Sequence, residues 1–259
     1  MEKVFAVVTG ASRGLGKAFA EELAKEEHNL LLVSLPDENL SGLCEELNTR
    51  YEIECHYYEA DLTRNEEILK TAQWINENYK IEVLINNAGI GGSRYFGKVE
   101  TEYLQKMIQL NVMATTLLIH ELLPNLKMRK KAFILNVSSL AGLSPIPFKT
   151  VYPASKAFIY SLSRSLNEEL KNTSVSVSVV NPGPMKTNGN TTDRINKQGF
   201  FTKITLKKPE DVARYSIKKM KKGKSLIITN FLSWIVLKIV PVRISLPILG
   251  RKFKHEAED

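Results

Sequence analysis

Short apolar runs alternate with longer amphipathic stretches along most of the 259-residue chain. Several short runs are apolar throughout, as expected for strands that are buried on both faces of a parallel sheet. The longer stretches repeat apolar residues at intervals of three and four, which predicts helices. This alternation predicts an α/β fold, with a doubly wound parallel sheet of about seven strands and helices on both faces. The predicted strands are 4–8, 30–33, 53–58, 83–85, 133–137, 175–180 and 226–229.

No internal repeat, linker or low-complexity tract divides the sequence, so we expect one domain over residues 1–259. Long helices are predicted at 102–127 and 152–170. Two regions depart from the alternation: a polar loop at about 183–208 and an apolar, basic C-terminal extension at about 230–259. Loops of this length in a compact domain are usually functional or disordered.

The composition is that of a globular protein, with 43% hydrophobic and 25% charged residues. It excludes a disordered chain, a fibrous repeat and a polytopic membrane protein. The net charge of +8 is unevenly distributed, because residues 1–200 carry −1 and the remainder carries +9. A basic region can attract nucleic acid or anionic membranes. No nucleic-acid-binding motif accompanies the charge, so we predict no nucleic-acid partner.

The two cysteines, Cys44 and Cys55, show no metal-ligand spacing. We therefore predict reduced thiols, no metal site and a cytoplasmic protein. The N-terminus has no signal-peptide pattern. The sequence also has no run of eighteen or more apolar residues, so we predict no conventional transmembrane helix.

A glycine-rich loop with the sequence TGASRGLG, residues 9–16, follows the first predicted strand and opens a helix. Gly10, Gly14 and Gly16 allow a tight turn, close approach of the backbone to a pyrophosphate, and close packing of helix on strand. The helix start supplies backbone N–H groups and the positive end of a dipole. The spacing differs from the Gly-x-Gly-x-x-Gly of the standard dinucleotide fingerprint, and a plain turn is the alternative interpretation.

Tyr152 and Lys156 are four residues apart, so a helix would place both side chains on one face. A nearby ammonium stabilises a tyrosinate and should lower the pKa of the phenol below about 10. Tyr152 could then act as a general acid toward a carbonyl or a general base toward an alcohol. Pro153 is tolerated near a helix start, which places Tyr152 there. Taken alone, the pair could also be two ordinary surface residues.

Further polar residues follow the fourth and fifth predicted strands. Residues 86–89 read NNAG, residues 136–139 read NVSS, and Ser139 stands thirteen residues before Tyr152. Asn111 interrupts an otherwise apolar helical face. Ligands of open α/β sheets bind outside the carboxyl ends of the strands, so we expect these groups to gather there with Tyr152.

Together these motifs resemble the short-chain dehydrogenase/reductase family. The resemblance rests on TGxxxGxG, NNAG, the Ser–Tyr spacing, YxxxK and the later NPG, and it covers about residues 3–230. It implies a Rossmann-like fold and an oxidoreductase that transfers a hydride between NAD(P)(H) and a carbonyl or secondary alcohol. The run YPASKAF and the apolar, basic C-terminus resemble reductases of 3-oxoacyl chains or keto-steroid-like molecules.

The resemblance implies four catalytic residues. Tyr152 matches the acid/base, and Lys156 matches the residue that lowers the tyrosine pKa and binds the nicotinamide ribose. Ser139, rather than Ser138, has the spacing of the serine that orients the substrate carbonyl. Asn111 matches the asparagine that holds a water in the proton relay.

The resemblance also implies a dinucleotide site. The residues expected there are Gly10, Ser12, Arg13, Gly14, Leu15, Gly16, Asp61, Leu62, Asn87, Ala88, Gly89, Tyr152, Lys156, Pro182, Gly183, Met185 and Thr187. Asp61 matches an adenine-binding aspartate, residues 87–89 resemble the lining of the adenine ribose, and residues 182–187 resemble a clamp on the nicotinamide carboxamide. From the residues alone, Asp61 could be a helix N-cap and Pro182-Gly183 a plain turn.

The choice of cofactor depends on the end of the second strand, where an acidic residue favours NAD and a nearby Arg accommodates the 2′-phosphate of NADP. The sequence reads VSLPD from Val33, with neither residue at the position usual in the family. Asp37 comes late and precedes a helix, so we interpret it as a cap. Arg13 resembles the basic residue common in NADP-preferring members, and we predict NADP(H) rather than NAD(H).

The loop at 183–208 matches the family's substrate lid. Phe200, Phe201 and Ile204 lie in or beside it and indicate a hydrophobic, lipid-like substrate. The C-terminal extension could cover the substrate pocket, form an oligomer contact or lie on a membrane, and its Trp234 and interspersed cations are typical of an interfacial segment. Pro241 and Pro247 should prevent one continuous helix. The lysine-rich run at 218–224 could attract anionic lipid or be a solvated helix end.

We therefore expect an NADP(H)-dependent carbonyl reductase, present as a homodimer or homotetramer in the cytoplasm, with peripheral membrane contact as one of the three roles open to its C-terminal extension. A non-catalytic dinucleotide-binding sensor or scaffold is the alternative. The presence of all four expected catalytic residues favours the enzyme, because a pure binding protein has no need of an acid/base tyrosine.

Overall fold

The structure is a computed structural model that describes residues 3–183, 185 and 207–258, and its strands form one seven-stranded sheet. All pairings are parallel, in the order β3-β2-β1-β4-β5-β6-β7. The strands are β1 (Phe5–Thr9), β2 (Asn29–Ser34), β3 (Cys55–Glu59), β4 (Ile81–Asn86), β5 (Ala132–Val137), β6 (Val175–Asn181) and β7 (Leu226–Ile228). All seven predicted strands are confirmed, with ends that differ by at most two residues.

Helices connect consecutive strands and cover both faces of the sheet. Within the described residues the α-helices are α1 (Gly14–Lys25), α2 (Leu40–Tyr51), α3 (Asn65–Asn78), α4 (Thr101–Ile108), α5 (Thr115–Lys127), α6 (Val151–Glu169), α7 (Pro209–Met220), α8 (Phe231–Ile239) and α9 (Val242–Glu258). β1 and β4 are neighbours, and the chain winds outward from them in opposite directions. This switch point opens a crevice at the carboxyl ends of the strands, where open α/β sheets bind ligands.

Two hydrophobic layers attach the helices to the sheet. Val8 of β1 packs in the layer that contains Phe19 of α1 and Ile217 of α7. Its neighbour Val7 enters the opposite layer, which contains Leu118 of α5. Successive strand residues point to opposite faces, so a strand covered on both sides must be apolar at every position. This explains the unbroken apolar runs in the sequence.

The helix predicted at 102–127 is continuous but irregular. α4 and α5 are joined by a π-helical segment, Gln109–Ala114. The segment carries the buried Asn111. Single-turn π segments often lie at functional sites. The periodicity predicted the length of this helix correctly but not its change of winding.

Cys44 of α2 and Cys55 of β3 form a disulfide, with their Cα atoms 5.1 Å apart. The prediction of reduced thiols is therefore wrong. Glu52 adopts a left-handed conformation after α2 and turns the chain back toward the helix. Asn48 then accepts a hydrogen bond from the backbone N–H of Cys55 at 2.7 Å, which fixes β3 beside α2. The predicted cytoplasmic location rested partly on reduced thiols, and the Cys44–Cys55 disulfide removes that argument.

The C-terminal extension forms α8 and α9. Pro241 lies between these helices, as predicted, whereas Pro247 lies within α9. The extension is therefore not one continuous helix, as expected, although the interruption falls at Pro241 and not at Pro247. Among the residues that the structure describes, no helix has the length and apolar character needed to cross a membrane.

Candidate active site

The glycine-rich loop turns tightly between β1 and α1. Gly10 and Gly14 have φ angles of +63° and +58°, in the left-handed region that favours glycine. A Cβ atom on Gly16 would lie 1.9 Å from the carbonyl oxygen of Gly10, so only glycine fits. No described side chain caps the start of α1. The N–H groups of its first turn are therefore oriented toward the crevice without a capping acceptor.

The segment after β4 is fixed to this loop by a residue that the sequence analysis overlooked. The Thr9 hydroxyl accepts hydrogen bonds from the backbone N–H groups of Asn87 at 3.0 Å and Ala88 at 3.1 Å. The Asn87 amide donates to the carbonyl oxygens of Thr9 at 2.9 Å and Gly10 at 3.1 Å. A buried hydroxyl at the end of an apolar strand was the available signal for Thr9.

The end of β2 lies beside the glycine loop. The Ser34 hydroxyl donates to the hydroxyl of Ser12 at 3.0 Å. The Arg13 guanidinium forms an exposed ion pair with Glu38 at 3.0 Å. Asp37 is not the helix cap that we expected, because α2 begins at Leu40 with Asn39 as its N-cap and Asp37 occupies a left-handed turn.

Three other predicted cofactor residues lie in α1 (Leu15) and in the turn after β3 (Asp61 and Leu62). Leu15 of α1 and Leu62 are buried core residues, so they can contribute to a cofactor site through their backbones. The Asp61 carboxylate accepts hydrogen bonds from the N–H of Thr63 at 3.0 Å and its hydroxyl at 2.7 Å. Asp61 fixes this turn but is not an N-cap, since Arg64 precedes the first residue of α3.

The segment after β6 returns to the same edge of the sheet. The Pro182 carbonyl accepts a hydrogen bond from the Leu140 N–H at 3.0 Å, and Gly183 lies against the Leu140 side chain. Met185 forms an isolated bridge with Lys207. Thr187, the three apolar residues of the predicted lid and most of the 183–208 loop lie outside the described residues.

The two adjacent serines after β5 point in different directions. Ser138 is buried, and its hydroxyl donates to the Lys156 backbone carbonyl at 2.7 Å. The Ser139 side chain accepts a hydrogen bond from the N–H of Ala141 at 3.1 Å and is hydrogen-bonded to the Tyr152 phenol. Ser138 therefore holds the backbone, whereas Ser139 is directed to Tyr152, and the substrate-orienting role that its spacing implies stays a prediction.

Tyr152 occupies the first turn of α6, close to the helix start predicted from Pro153. Burial raises the pKa of its phenol, and the hydrogen bond with Ser139 opposes this effect by a smaller amount. The expectation that Lys156 lowers this pKa is not met. Lys156 Nζ lies 6.0 Å from the centre of the Tyr152 ring and donates to the Val137 carbonyl at 2.9 Å instead.

Lys156 is almost completely buried, with 5% of its surface exposed. Burial disfavours the ammonium and lowers the pKa of Lys156 to about 8. A Cβ atom on Gly89 would lie 3.2 Å from Nζ and 3.0 Å from the Asn111 side-chain oxygen. Gly89 thus leaves open the small space where the lysine and the asparagine converge.

Asn111 fixes the chain beyond Gly89. Its side-chain oxygen accepts a hydrogen bond from the Ile90 N–H at 2.9 Å, and its amide donates to the Ile90 carbonyl at 2.8 Å. The same amide donates to the Ser155 hydroxyl at 3.0 Å, one residue before Lys156. The π-helical segment orients Asn111 for these three bonds. The side chain of Asn111 joins the segment after β4 to α6.

The geometry fits a nicotinamide dinucleotide. The glycine positions that cannot carry a Cβ and the uncapped start of α1 form a cradle for a pyrophosphate. The side chain of Asn181, at the end of β6, is fully buried, and neither of its polar atoms has a hydrogen-bond partner among the described residues. The amide group of a nicotinamide has the donor and acceptor that such a side chain can bind.

A doubly wound sheet, a glycine cradle and a Tyr–Lys pair on α6 together define a dinucleotide-binding oxidoreductase architecture. A family profile described as short chain dehydrogenase matches residues 4–198. The chain belongs to this family, which confirms the resemblance found in the sequence.

Relatives and solved structures agree with this assignment. The very-long-chain 3-oxoacyl-CoA reductase of Anas platyrhynchos is 39% identical over 69% of this chain and 58% of its own length. The human protein of the same name is 32% identical over 91% of this chain and 78% of its own length. A short-chain dehydrogenase from Sphingobium yanoikuyae, solved in complex with NADPH, is 26% identical with a TM-score of 0.81, over 96% of this chain and 93% of its own. This chain thus spans only about six tenths of the first curated relatives it matches.

Proposed function

We propose that the protein is an NADPH-dependent reductase of a carbonyl group on a hydrophobic, acyl-chain-like substrate. The observation that carries the proposal is the convergence of Ser139, Tyr152, Lys156 and Asn111 beside the glycine cradle. In the proposed reaction, bound NADPH supplies a hydride to the carbonyl carbon, and the protein supplies a proton to the oxygen.

The residues around Tyr152 suit proton donation. Tyr152 and Ser139, which are hydrogen-bonded to each other, form two hydroxyl donors for one carbonyl oxygen. Because burial raises the pKa of Tyr152, the phenol holds its proton at neutral pH, as a general acid must. Lys156 is held by the Val137 carbonyl, with Nζ 6.0 Å from the centre of the Tyr152 ring, and its role in the proposal is to bind the nicotinamide ribose.

Substitution of Tyr152 by Phe tests this role. The variant should lose turnover of NADPH with a carbonyl substrate, while NADPH still quenches or shifts the protein fluorescence with unchanged affinity. Unchanged turnover would eliminate the proposed mechanism. A wild-type protein that binds NADPH and reduces no carbonyl in a broad panel would favour the sensor or scaffold alternative.

The preference for NADPH is supported by the surroundings of Ser34. This residue ends β2 without a carboxylate for a ribose 2′-hydroxyl, and Arg13 lies close by. Arg13 pairs with Glu38, so a 2′-phosphate would compete with that carboxylate. The KM values for NADH and NADPH test the preference. Arg13→Ala should raise the KM for NADPH and leave the KM for NADH unchanged, whereas Glu38→Gln should lower the KM for NADPH. A wild-type protein that prefers NADH would refute the proposal.

The substrate class is supported by the names of the Anas platyrhynchos and human relatives, which are very-long-chain 3-oxoacyl-CoA reductases. A series of 3-oxoacyl thioesters of increasing chain length, assayed beside keto-steroids, sugars and polyols, tests it. We expect kcat/KM to rise with chain length. Activity on small polar sugars or polyols alone would contradict the proposal.

Peripheral membrane contact through α8 and α9 is also part of the proposal. Phe231, Leu232, Ile239 and Ile248 are each more than 60% exposed on these helices. The basic residues of the extension can attract anionic head groups to the same surface. Flotation with anionic liposomes tests the contact: wild type should float, and a variant with Ile239→Asp and Ile248→Asp should not. Equal flotation of the two would rule it out. Cytoplasmic location and a homodimer or homotetramer stay predictions.

A further inference from the structure

The end of α9 packs against two loops that flank Tyr152. We call residues 87–95 the β4 loop and residues 144–150 the α6 loop. One carboxylate oxygen of Glu256, Oε2, accepts a hydrogen bond from the Ser93 hydroxyl in the β4 loop. The same oxygen lies 3.0 Å from Nζ of Lys149 in the α6 loop. A single side chain of the C-terminal helix therefore joins both loops.

The contacts around Glu256 are shielded from water. The side chains of Glu256 and Lys149 are only 13% and 20% exposed, and Ser93 is buried. The Phe253 ring, one turn earlier on α9, lies 4.4 Å from Lys149 Nζ. Ion pairs in such surroundings are stronger and less screened than pairs on an open surface.

The two loops are also bonded to each other. The N–H of Arg94 donates to the Phe148 carbonyl at 2.6 Å, and the rings of Tyr95 and Phe148 meet edge to face at 5.1 Å. Phe148 has a φ of +66°, in the left-handed region that bulky side chains disfavour. Such a conformation persists only where its surroundings hold it. Glu256 supplies part of that support through the adjacent Lys149.

Each loop contacts Tyr152. The backbone N–H of Tyr152 donates to the Lys149 carbonyl at 2.9 Å. Gly91 of the β4 loop lies so close to the phenol ring that a Cβ atom there would be 2.5 Å from Cδ2. Movement of either loop would therefore displace the tyrosine, and misplacement of a reacting group by about 1 Å can slow a reaction by about 100-fold.

We propose that Glu256 is a positioning residue, which holds the β4 and α6 loops together and thereby fixes Tyr152 for proton transfer. The proposal rests on the proposed function, in which Tyr152 is the proton donor. Glu256 acts through Ser93 and Lys149 and does not touch the reacting atoms. The C-terminal helix is then a working part of the active site as well as a surface element.

Hydrogen exchange of the cofactor-free protein tests the structural half without any substrate. In Glu256→Gln, the amides of Arg94 and Tyr152 should exchange about tenfold faster, because the loops that hold them open more often. The amide of Leu135, in the central strand β5, should be unchanged and report intact folding. Glu258→Gln is the matched control, because it removes a carboxylate from the same helix but loses an exposed bond from the Tyr95 hydroxyl at 2.9 Å and a pair with His255 at 3.7 Å, neither of which involves Lys149. Unchanged exchange at Arg94 and Tyr152 in Glu256→Gln would overturn the proposal.

Steady-state kinetics test the functional half, with any carbonyl substrate that the wild type reduces. Glu256→Gln should lower kcat about tenfold and leave the Kd for NADPH within about twofold, and Glu256→Asp should recover part of the loss. The double variant with Lys149→Met should lose no more than Lys149→Met alone, because the two side chains act as a unit. Loss of NADPH binding in parallel with kcat would show a general collapse and overturn the positioning role. If the wild type reduces no carbonyl, the proposed function fails, and the exchange result still decides whether Glu256 holds the loops.

Discussion

Replacing Lys156 by methionine measures how strongly the buried ammonium destabilises the folded protein. Burial lowers the pKa of Lys156 from 10.5 to about 8. At pH values between these two, the unfolded chain holds a proton that the folded chain has lost. Wild-type stability should therefore rise with pH in this window, relative to a variant without the lysine. The full difference between the two pKa values corresponds to about 3 kcal/mol.

Between pH 7 and 9.5 the linkage relation gives about 2 kcal/mol of this change. The assay is thermal or urea denaturation of the cofactor-free wild type and Lys156→Met at both pH values. The stability of the variant relative to wild type should fall by about 2 kcal/mol on going to pH 9.5, which is about 4–8 °C in Tm. Effects of the substitution that do not depend on protonation, such as altered packing, are the same at both pH values and cancel.

An exposed lysine provides the control. Lys171→Met removes the same charge from a side chain that is 59% exposed, so its effect should stay nearly constant with pH. A stability difference between wild type and Lys156→Met that does not change between pH 7 and 9.5 would refute the reasoning. It would mean that the Lys156 ammonium is as well stabilised in the fold as in water.

Four further substitutions separate stability from activity. Ser138→Ala removes the buried bond to the Lys156 carbonyl and should lower the free energy of unfolding by about 1–3 kcal/mol. Ser139→Ala should leave Tm near wild type and lower kcat about 100-fold. Equal effects of the two variants in denaturation and kinetic assays would contradict this division of roles. Gly16→Ala forces a methyl group onto the Gly10 carbonyl, so the variant should bind NADPH more weakly in a fluorescence titration. An affinity equal to that of wild type would contradict the assignment of this loop as the pyrophosphate site. Phe19→Ala empties a fully buried site in the core and should cost about 3–5 kcal/mol in urea denaturation, and a loss below about 1 kcal/mol would show that the core collapses to fill it.

The sheet was predictable because its strands obey one strong rule. A parallel strand covered on both faces must be apolar throughout, as β1 is, and all seven predicted runs became strands although the edge strand β3 (CHYYE) is mostly exposed. The disulfide was not predictable in the same way, because it depends on the left-handed turn at Glu52 that returns β3 to α2. The capping role given to Asp37 failed for a related reason, since the exact start of α2 is set by local backbone geometry that propensity does not resolve.

The site was predictable where its members belong to short motifs, as Ser139, Tyr152 and Lys156 do. The sequence also could not reveal that burial, rather than Lys156, controls the pKa of the tyrosine, because burial is a property of the packed fold. Glu256 gave no signal at all, since it meets Ser93 across 163 positions of the chain. Contacts of this kind depend on where the last helix returns, and no local pattern encodes that.

The π-helical segment has a consequence for the rotational phase of the helices that it joins. A regular α-helix turns by about 100° per residue, and the wider winding at Gln109–Ala114 takes up about one extra residue between α4 and α5. α5 turns Leu118 toward the sheet while Asn111 faces Ile90. Deleting one residue here would regularise the winding and leave the faces of α4 and α5 nearly where they are, because a π turn holds about one residue more than an α turn. The deletion would instead move Asn111, so the extra residue of this turn serves the side chain that binds Ile90 rather than the alignment of α4 with α5.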